Sequence, residues 1–343
     1  MKYIGSVLLC CISIVAAAQD YTDVLRFSQH HIGGTARYTS MGGAFGALGG
    51  DVGAITSNPG AMGVYRRGEW SFTPGLFTGV SSATLNNVSE QAAKPNINFG
   101  SLGYVGVYPA TKAQKRGSPW KSFTLSIGYN RANQYHSEIA TEIVNNNSSL
   151  VDQYLSELNG NAILPENIYS EADPFGTILA WNTFLIDTLN SQYVSAIPAG
   201  YGQTQRYERT TRGRTGENYF GFGGNLNHKL YVGATLGITR IVYDQTIVHT
   251  ESIEANPLDS LIQWTAFAIT DSLRTRGNGY NLKIGAIYRL TRALRVGAAL
   301  HTPSVFNMTE EWSASIDTEF EEVGVFEDVA TGGYYEYLSL IHI

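Results

Sequence analysis

One stretch of the chain, Arg37-Tyr38-Thr39-Ser40-Met41-Gly42-Gly43-Ala44 running on to Asn58-Pro59-Gly60-Ala61, carries enough glycine to bring bare backbone against a ligand or another segment. Such loops cradle phosphate when they follow a strand and open a helix inside a βαβ unit. This one matches neither G-x-G-x-x-G nor G-x-x-x-x-G-K-[ST], so a nucleotide site is set aside. Tight folding of backbone where side chains would not fit is the reading that remains. Asn58-Pro59 adds a restricted φ and a side-chain amide able to hold nearby backbone. Arg37, Lys283, Arg289 and Arg295 are cations that could meet a carboxylate, or simply line a wet surface and pair with acidic neighbours. His30-His31 has no companions at metal-ligand spacing. Ser304 near His301 is the only hydrolase-like juxtaposition, and two strand neighbours do not make a lipase. No enzyme activity, metal or cofactor is expected.

The elements that position these residues begin with an address label. Lys2, the apolar run Tyr3 to Val15 and Ala16-Ala17-Ala18 read as a signal peptide over 1–18, cleaved before Gln19. Cleavage removes Cys10 and Cys11, so the exported chain must draw its stability from a large core or a closed hydrogen-bonded sheet rather than from disulfides. Removing Lys2 from the 23 basic residues makes the balance one charge more acidic than −6, which argues against a nucleic-acid partner. Charged residues are only 15%, with 21 tyrosines and 37 glycines, where about 25% charged is usual. Low charge in an exported, Tyr/Gly-rich chain points to the bacterial outer membrane and a β-barrel.

Period-two alternation supports that reading. Leu236 and Ile238 alternate with Gly237, Leu282 and Ile284 with Lys283 and Gly285, and Phe220 and Phe222 with Gly221 and Gly223. The expected fold is all-β: a transmembrane antiparallel barrel over 68–337, with about seven strands counted from Glu69. Short turns at Asn227-His228-Lys229 and Thr291-Arg292-Ala293 alternate with long connections near 131–216 and 249–277, the outer-membrane pattern of periplasmic turns and extracellular loops. Within the first long loop, SSLVDQYLSELNG reads as a helix with Ser149 as N-cap. A second helical pattern in DPFGTILAWNTFLIDTLN includes Leu179, Trp181, Phe184 and Leu185. These four either form an apolar binding groove or pack within the loop.

The chain stops on LSLIHI, Leu338 to Ile343, which is what the end of a common transposase sequencing adapter encodes. Residues 338–343 are therefore expected to be adapter-derived and the chain to be truncated.

Arg37, Met41-Gly42-Gly43-Ala44, Asp51, Ala54 and Asn58-Pro59 resemble the N-terminal hatch of the FadL/OmpP1/TodX family, whose pattern is R-x-x-x-M-G-G-A followed by an N-P-A element. Here glycine and alanine exchange places after Asn58-Pro59. Leu300 to Ser304, LHTPS, resembles a strand segment of members from Bacteroidetes-type bacteria. The resemblance implies a fourteen-stranded barrel, about half present here, plugged by a hatch over 19–67. It also implies passive uptake of long-chain fatty acids or other hydrophobic compounds, gated by hatch movement, with an inward strand kink releasing ligand sideways into the membrane. The implied partners are a hydrophobic small molecule and outer-membrane lipid, and the full-length protein is expected to be monomeric. A non-transporting structural or adhesion barrel and a general porin are the alternatives; a porin would constrict its pore with charged rings.

Overall fold

The computed structural model describes residues 21–29, 31–85, 88–111, 118–190, 192–197, 202–253, 264–321 and 323–341. The expected signal peptide with Cys10 and Cys11, and also His30 and His342-Ile343, lie outside the described residues.

Most of the chain is antiparallel β-structure: β1 (Glu69–Leu85), β2 (Val88–Pro109), β3 (Trp120–Gln134), β4 (Ser137–Asn145), β5 (Ile186–Leu189), β6 (Gln192–Ser195), β7 (Gln203–Leu226), β8 (Leu230–Ser252), β9 (Trp264–Arg289), β10 (Arg295–His301), β11 (Ser304–Phe320) and β12 (Gly324–Ile341). β5 and β6 form a separate hairpin. The other strands make one sheet in the order β1-β2-β3-β7-β8-β9-β11-β12, with β4 also on β7 and β10 also on β9. β10 and β11 are one strand interrupted at Thr302-Pro303. Proline brings no N–H to a ladder, and there the Thr302 hydroxyl accepts the Leu282 N–H at 3.0 Å instead. The β7–β8 turn works because Asn227 (φ 52°) and His228 (φ 56°) both take left-handed backbone, as a two-residue hairpin turn requires.

The sheet is thus eight strands wide among the described residues, one more than counted from alternation. The extra strand is β12, whose outer residues are mixed in polarity. Residues 338–341 continue β12 rather than lacking strand character, with Asn307 opposite Leu338 and Ser304 opposite Ile341. The long connections are also shorter than expected. β3 and β4 extend to Asn145, β7 starts at Gln203, and β8 runs to Ser252. Those extensions are polar on both faces, so their backbone ladders leave no apolar alternation to read.

The two faces of the sheet differ. Phe220, Phe222, Leu236, Leu282 and Ile284 point outward and are each about half exposed. The opposite face is filled in three tiers. Nearest the short turns, the 3-10 segment Pro59–Val64 lies against β3, β7, β8, β9 and β10. In the middle tier, Phe27 from the helix Tyr21–Ser28 packs edge-on against Tyr135 and Tyr243, beside Phe306 and Met308. Arg26 lies over the Tyr243 ring at 4.3 Å.

The third tier is the long loop. Its helix Val151–Gly160 begins where the Ser149 hydroxyl accepts the Val151 N–H at 3.2 Å and the Ser149 N–H donates to Asp152 at 2.9 Å. The second helix covers only Thr177–Asn182, because the following Ile186–Leu189 turns into β5. Val151, Leu158, Ile168, Leu179, Leu185 and Ile186 form one core with Trp264, Phe267 and Ile316 from β9 and β11. Burial there also pushes the Tyr154 phenol far above its ordinary range. Among the described residues, no helix is long and apolar enough to cross a membrane.

Candidate functional site

The glycine-rich stretch folds as a chain of short caps. Thr35 accepts the Tyr38 N–H at 3.1 Å and starts the helix Ala36–Ser40. The same hydroxyl donates at 2.7 Å to buried Asp51, which also accepts the Gly53 N–H at 2.8 Å. Asn58 is extended, as a residue before proline should be, and its Oδ1 accepts the Gly60 N–H at 2.9 Å, with Pro59 opening the 3-10 turn. Burial, with Glu69 and Asp51 nearby, pushes the Tyr65 phenol far up, so it stays neutral.

Asn58 is also what ties this stretch to the sheet. It is 2% exposed, and its Nδ2 donates to Gly46 O at 2.6 Å and to Ala286 O of β9 at 3.3 Å. Beneath it lies a row of glycines at one height: Gly223 of β7 faces Gly233 of β8, which faces Gly285 of β9. A Cβ on Gly233 would strike the Pro59 carbonyl, one on Gly285 the Asn58 amide, and one on Gly223 would stand 2.7 Å from Met62 Cβ. Close approach is the reason these positions are bare. Gly42 differs: its φ of 61° demands glycine, and a Cβ there would meet nothing within 4 Å. Gly43 (φ 72°) combines both reasons, with Ile32 and Tyr38 against it. Arg37 covers the buried Phe45 ring at 5.3 Å, and Met41 ends the first helix, largely exposed.

The other candidate residues separate. Arg295 donates to Leu48 O at 2.9 Å and so is a second tie on the same stretch, while Arg289 donates to Thr291 O at its turn. Lys283 faces inward, but both Glu217 oxygens hold its ammonium, at 2.6 and 2.7 Å. It is not an open cation for a ligand carboxylate. Leu179 and Leu185 are buried in the loop core and cannot line a groove there; Trp181 packs on that core, and Phe184 is exposed beside Phe326. Packing within the loop is what holds them.

Two cavities border the glycine-rich stretch. One of ≈170 Å³ is lined by Ser57, Asn130, Arg131, Glu217, Asn281 and Lys283, among others. The other, ≈580 Å³, lies between Ile32–Ser40 and β1, β2 and β3, with Pro74, Leu76 and Phe77 on its wall. The second sits at a seam. β2 and β3 pair only as far as Ser101 opposite Asn130, while β2 continues with β1 to Val88 and β3 continues with β7. Beyond that point side chains link β2 to β3 and β4, Arg131 Nε of β3 donating to Phe99 O at 3.2 Å and Lys94 of β2 to Glu138 of β4 at 2.7 Å.

Sequence reasoning missed Arg131, Glu217 and Asn281. Arg131 borders both cavities, and its Nη1 and the Asn281 Oδ1 are buried without a hydrogen-bond partner among the described residues. Glu217 shares the inward parity of Tyr219 and Gly221, which was a readable signal, but its distance to Lys283 depends on a register no single strand reveals. No protein-family model, curated protein or solved structure matches the chain.

Proposed function

We propose that the chain is an outer-membrane β-barrel that carries long-chain fatty acids or other hydrophobic compounds, with residues 31–67 acting as its hatch. The observation that carries this reading is the seating of Asn58–Met62 on the glycine row of β7, β8 and β9; farther toward the loop side, residues 31–40 of the same stretch border the ≈580 Å³ cavity at the β2–β3 seam. The hatch is tied to the sheet by a few hydrogen bonds, each worth about 0.5–1.5 kcal/mol net, and by Val52, Ile55 and Met62 packed on Val105 and Tyr219, so its movement must also uncover that apolar surface while the strand ladders stay paired. The outward rows of half-exposed Phe, Leu and Ile suit lipid; β1 and β12 are the sheet's edges among the described residues, and in a membrane both must find partner strands, because hydrocarbon does not tolerate an open edge. A ligand leaving through the β2–β3 seam enters lipid directly. Its alkyl chain then avoids exposure to water, at about 0.8 kcal/mol per CH₂. A carboxylate head group meets Arg131 at the seam rather than the already neutralised Lys283.

Cells producing the protein are expected to take up labelled long-chain fatty acid or aromatic hydrocarbon above the level of cells without it. Uptake of neither would remove the transport reading. Asn58→Ala combined with Pro59→Ala should leave the protein folded and inserted, yet lower that uptake or raise leakage of small solutes. Unchanged uptake and no added leakage in the well-folded double variant would leave residues 31–67 as a fixed plug.

A further inference from the structure

The outward face changes character abruptly above its apolar rows. Across β7, β8, β9 and β11 the uppermost apolar row reads Asn218, Ile238, Tyr280 and Val305. In the rows directly above it, on the loop side, stand five arginines: Arg240, then Arg214 and Arg276, then Arg212 and Arg274. They share the outward parity of Phe220, Leu236 and Leu282, and Arg212, Arg214, Arg240 and Arg274 are exposed. Arg276 donates to Asp244 at 2.7 Å, and Arg274 lies 3.4 Å from Asp244 and 3.6 Å from Glu311. Arg212, Arg214 and Arg240 have no carboxylate partner among the described residues. Glu336 of β12 stands in the row of Arg276 and accepts the Tyr334 hydroxyl at 2.7 Å; five arginines against three acids still leave an excess of positive charge on a chain whose overall charge is −6.

We infer that this face binds a lipid head group carrying two phosphates, on the loop side of the bilayer. The inference rests on the reading that the apolar rows lie in a membrane. Arg240 is two residues above Ile238 and Arg276 four above Tyr280. At about 3.4 Å per residue and a strand tilt of roughly 35–45°, that places the backbone of Arg240, Arg214 and Arg276 about 5–11 Å beyond the apolar rows and that of Arg212 and Arg274, one row higher, about 14–17 Å beyond, from head-group depth outward. Arginine forks take phosphate oxygens two at a time. The three arginines without a carboxylate partner carry +3 between them, which two phosphates at about −1.5 to −2 each match better than one. The three unpaired arginines are the ones free to make those contacts, while Asp244 and Glu311 hold the other two in place beside them.

The test uses the full chain in phosphatidylcholine vesicles with and without a bisphosphorylated diglucosamine lipid, followed by flotation and native mass spectrometry of retained lipid. Wild type should float with both vesicle types and retain the bisphosphorylated lipid over phosphatidylcholine and over its monophosphorylated form. Arg212→Gln, Arg214→Gln and Arg240→Gln together should leave flotation unchanged but weaken retention by roughly tenfold to a hundredfold, since each surface arginine contributes on the order of a factor of five. The corresponding triple change to lysine, which keeps the charge and loses the fork, should retain more lipid than the glutamine variant and less than wild type, which separates lost charge from damaged structure. Equal retention by wild type and the glutamine variant, or no preference over phosphatidylcholine in protein that floats, would overturn this inference alone. Failure to float with any vesicle would overturn the membrane reading and this inference with it.

Discussion

Lys283→Met is expected to lower the unfolding free energy of the detergent-solubilised protein by about 3–5 kcal/mol, the usual cost of stripping one partner from a buried ion pair. The Lys283 and Glu217 side chains are only 9% and 12% exposed, and they meet over β8 rather than on neighbouring strands. Gly237 makes that bridge possible. It lies between them, and a Cβ there would come within 2.8 Å of a Glu217 oxygen. Lys283→Met with Glu217→Gln should recover most of the loss, because it is the unpaired buried charge that is costly, not the missing attraction. Denaturant midpoints of the single and double variants decide the matter. A single variant within about 1 kcal/mol of wild type, or no recovery in the double, would mean that water reaches the pair and the interior is wetter than its burial indicates.

Leu236→Arg should cost roughly 2–4 kcal/mol of folding stability in a bilayer if the position lies near the midplane, and Ile284→Arg the same. Leu236 is 47% exposed and sits between Phe220 and Leu282 on the outward face. Arginine at Gly285 acts on the other side, where it must displace Asn58 and Pro59. It should release residues 31–67 to limited proteolysis and impair uptake while the strands stay paired. Measuring equilibrium folding into thin-bilayer vesicles alongside protease sensitivity separates the two effects. Should Gly285→Arg prove the worse folding defect and leave residues 31–67 protected, the outward and inward faces would have to be exchanged.

The alternation of Leu236 with Gly237 and of Ile284 with Gly285 was readable because a pleated strand has a strict period of two and only one apolar face. The same rule hid part of what lies above the apolar rows. Gln203 to Thr215 is a strand held by its backbone ladder with polar side chains on both faces, so no periodic signal marks it, whereas Ser304 to Phe320 does alternate, with Phe306, Met308, Trp312, Ala314 and Ile316 set against Asn307, Thr309, Ser313, Ser315 and Asp317. The candidate site was legible in part. Asn58-Pro59 and the glycines announced close packing, but which strand they meet depends on three-dimensional register. For that reason the sequence left Lys283 open between a ligand cation and an ion-pair partner, and only the register sets Glu217 against it. Leu179 and Leu185 failed for a different reason. An amphipathic pattern in a loop shows that an apolar face exists, not whether ligand or the loop's own core covers it.

The anchoring of residues 31–67 has a consequence for the order in which the molecule assembles. Most strands pair with sequence neighbours, and even the ladder of β4 on β7, which spans the long loop, joins Asn145 to Gln203, 58 residues on. The ties from Asn58 to Ala286, Ser57 to His301 and Leu48 to Arg295 instead span 228, 244 and 247 residues. The segment made first therefore has no seat until β9 and β10, made far later, have joined the sheet. Contacts of such separation form late, and until then its glycine-rich backbone must be shielded by something other than its final partners. In hydrogen exchange during refolding, the amides of Asn58 to Val64 should gain protection after those of β7 and β8, and a chaperone that holds the nascent chain would act on this stretch before any strand.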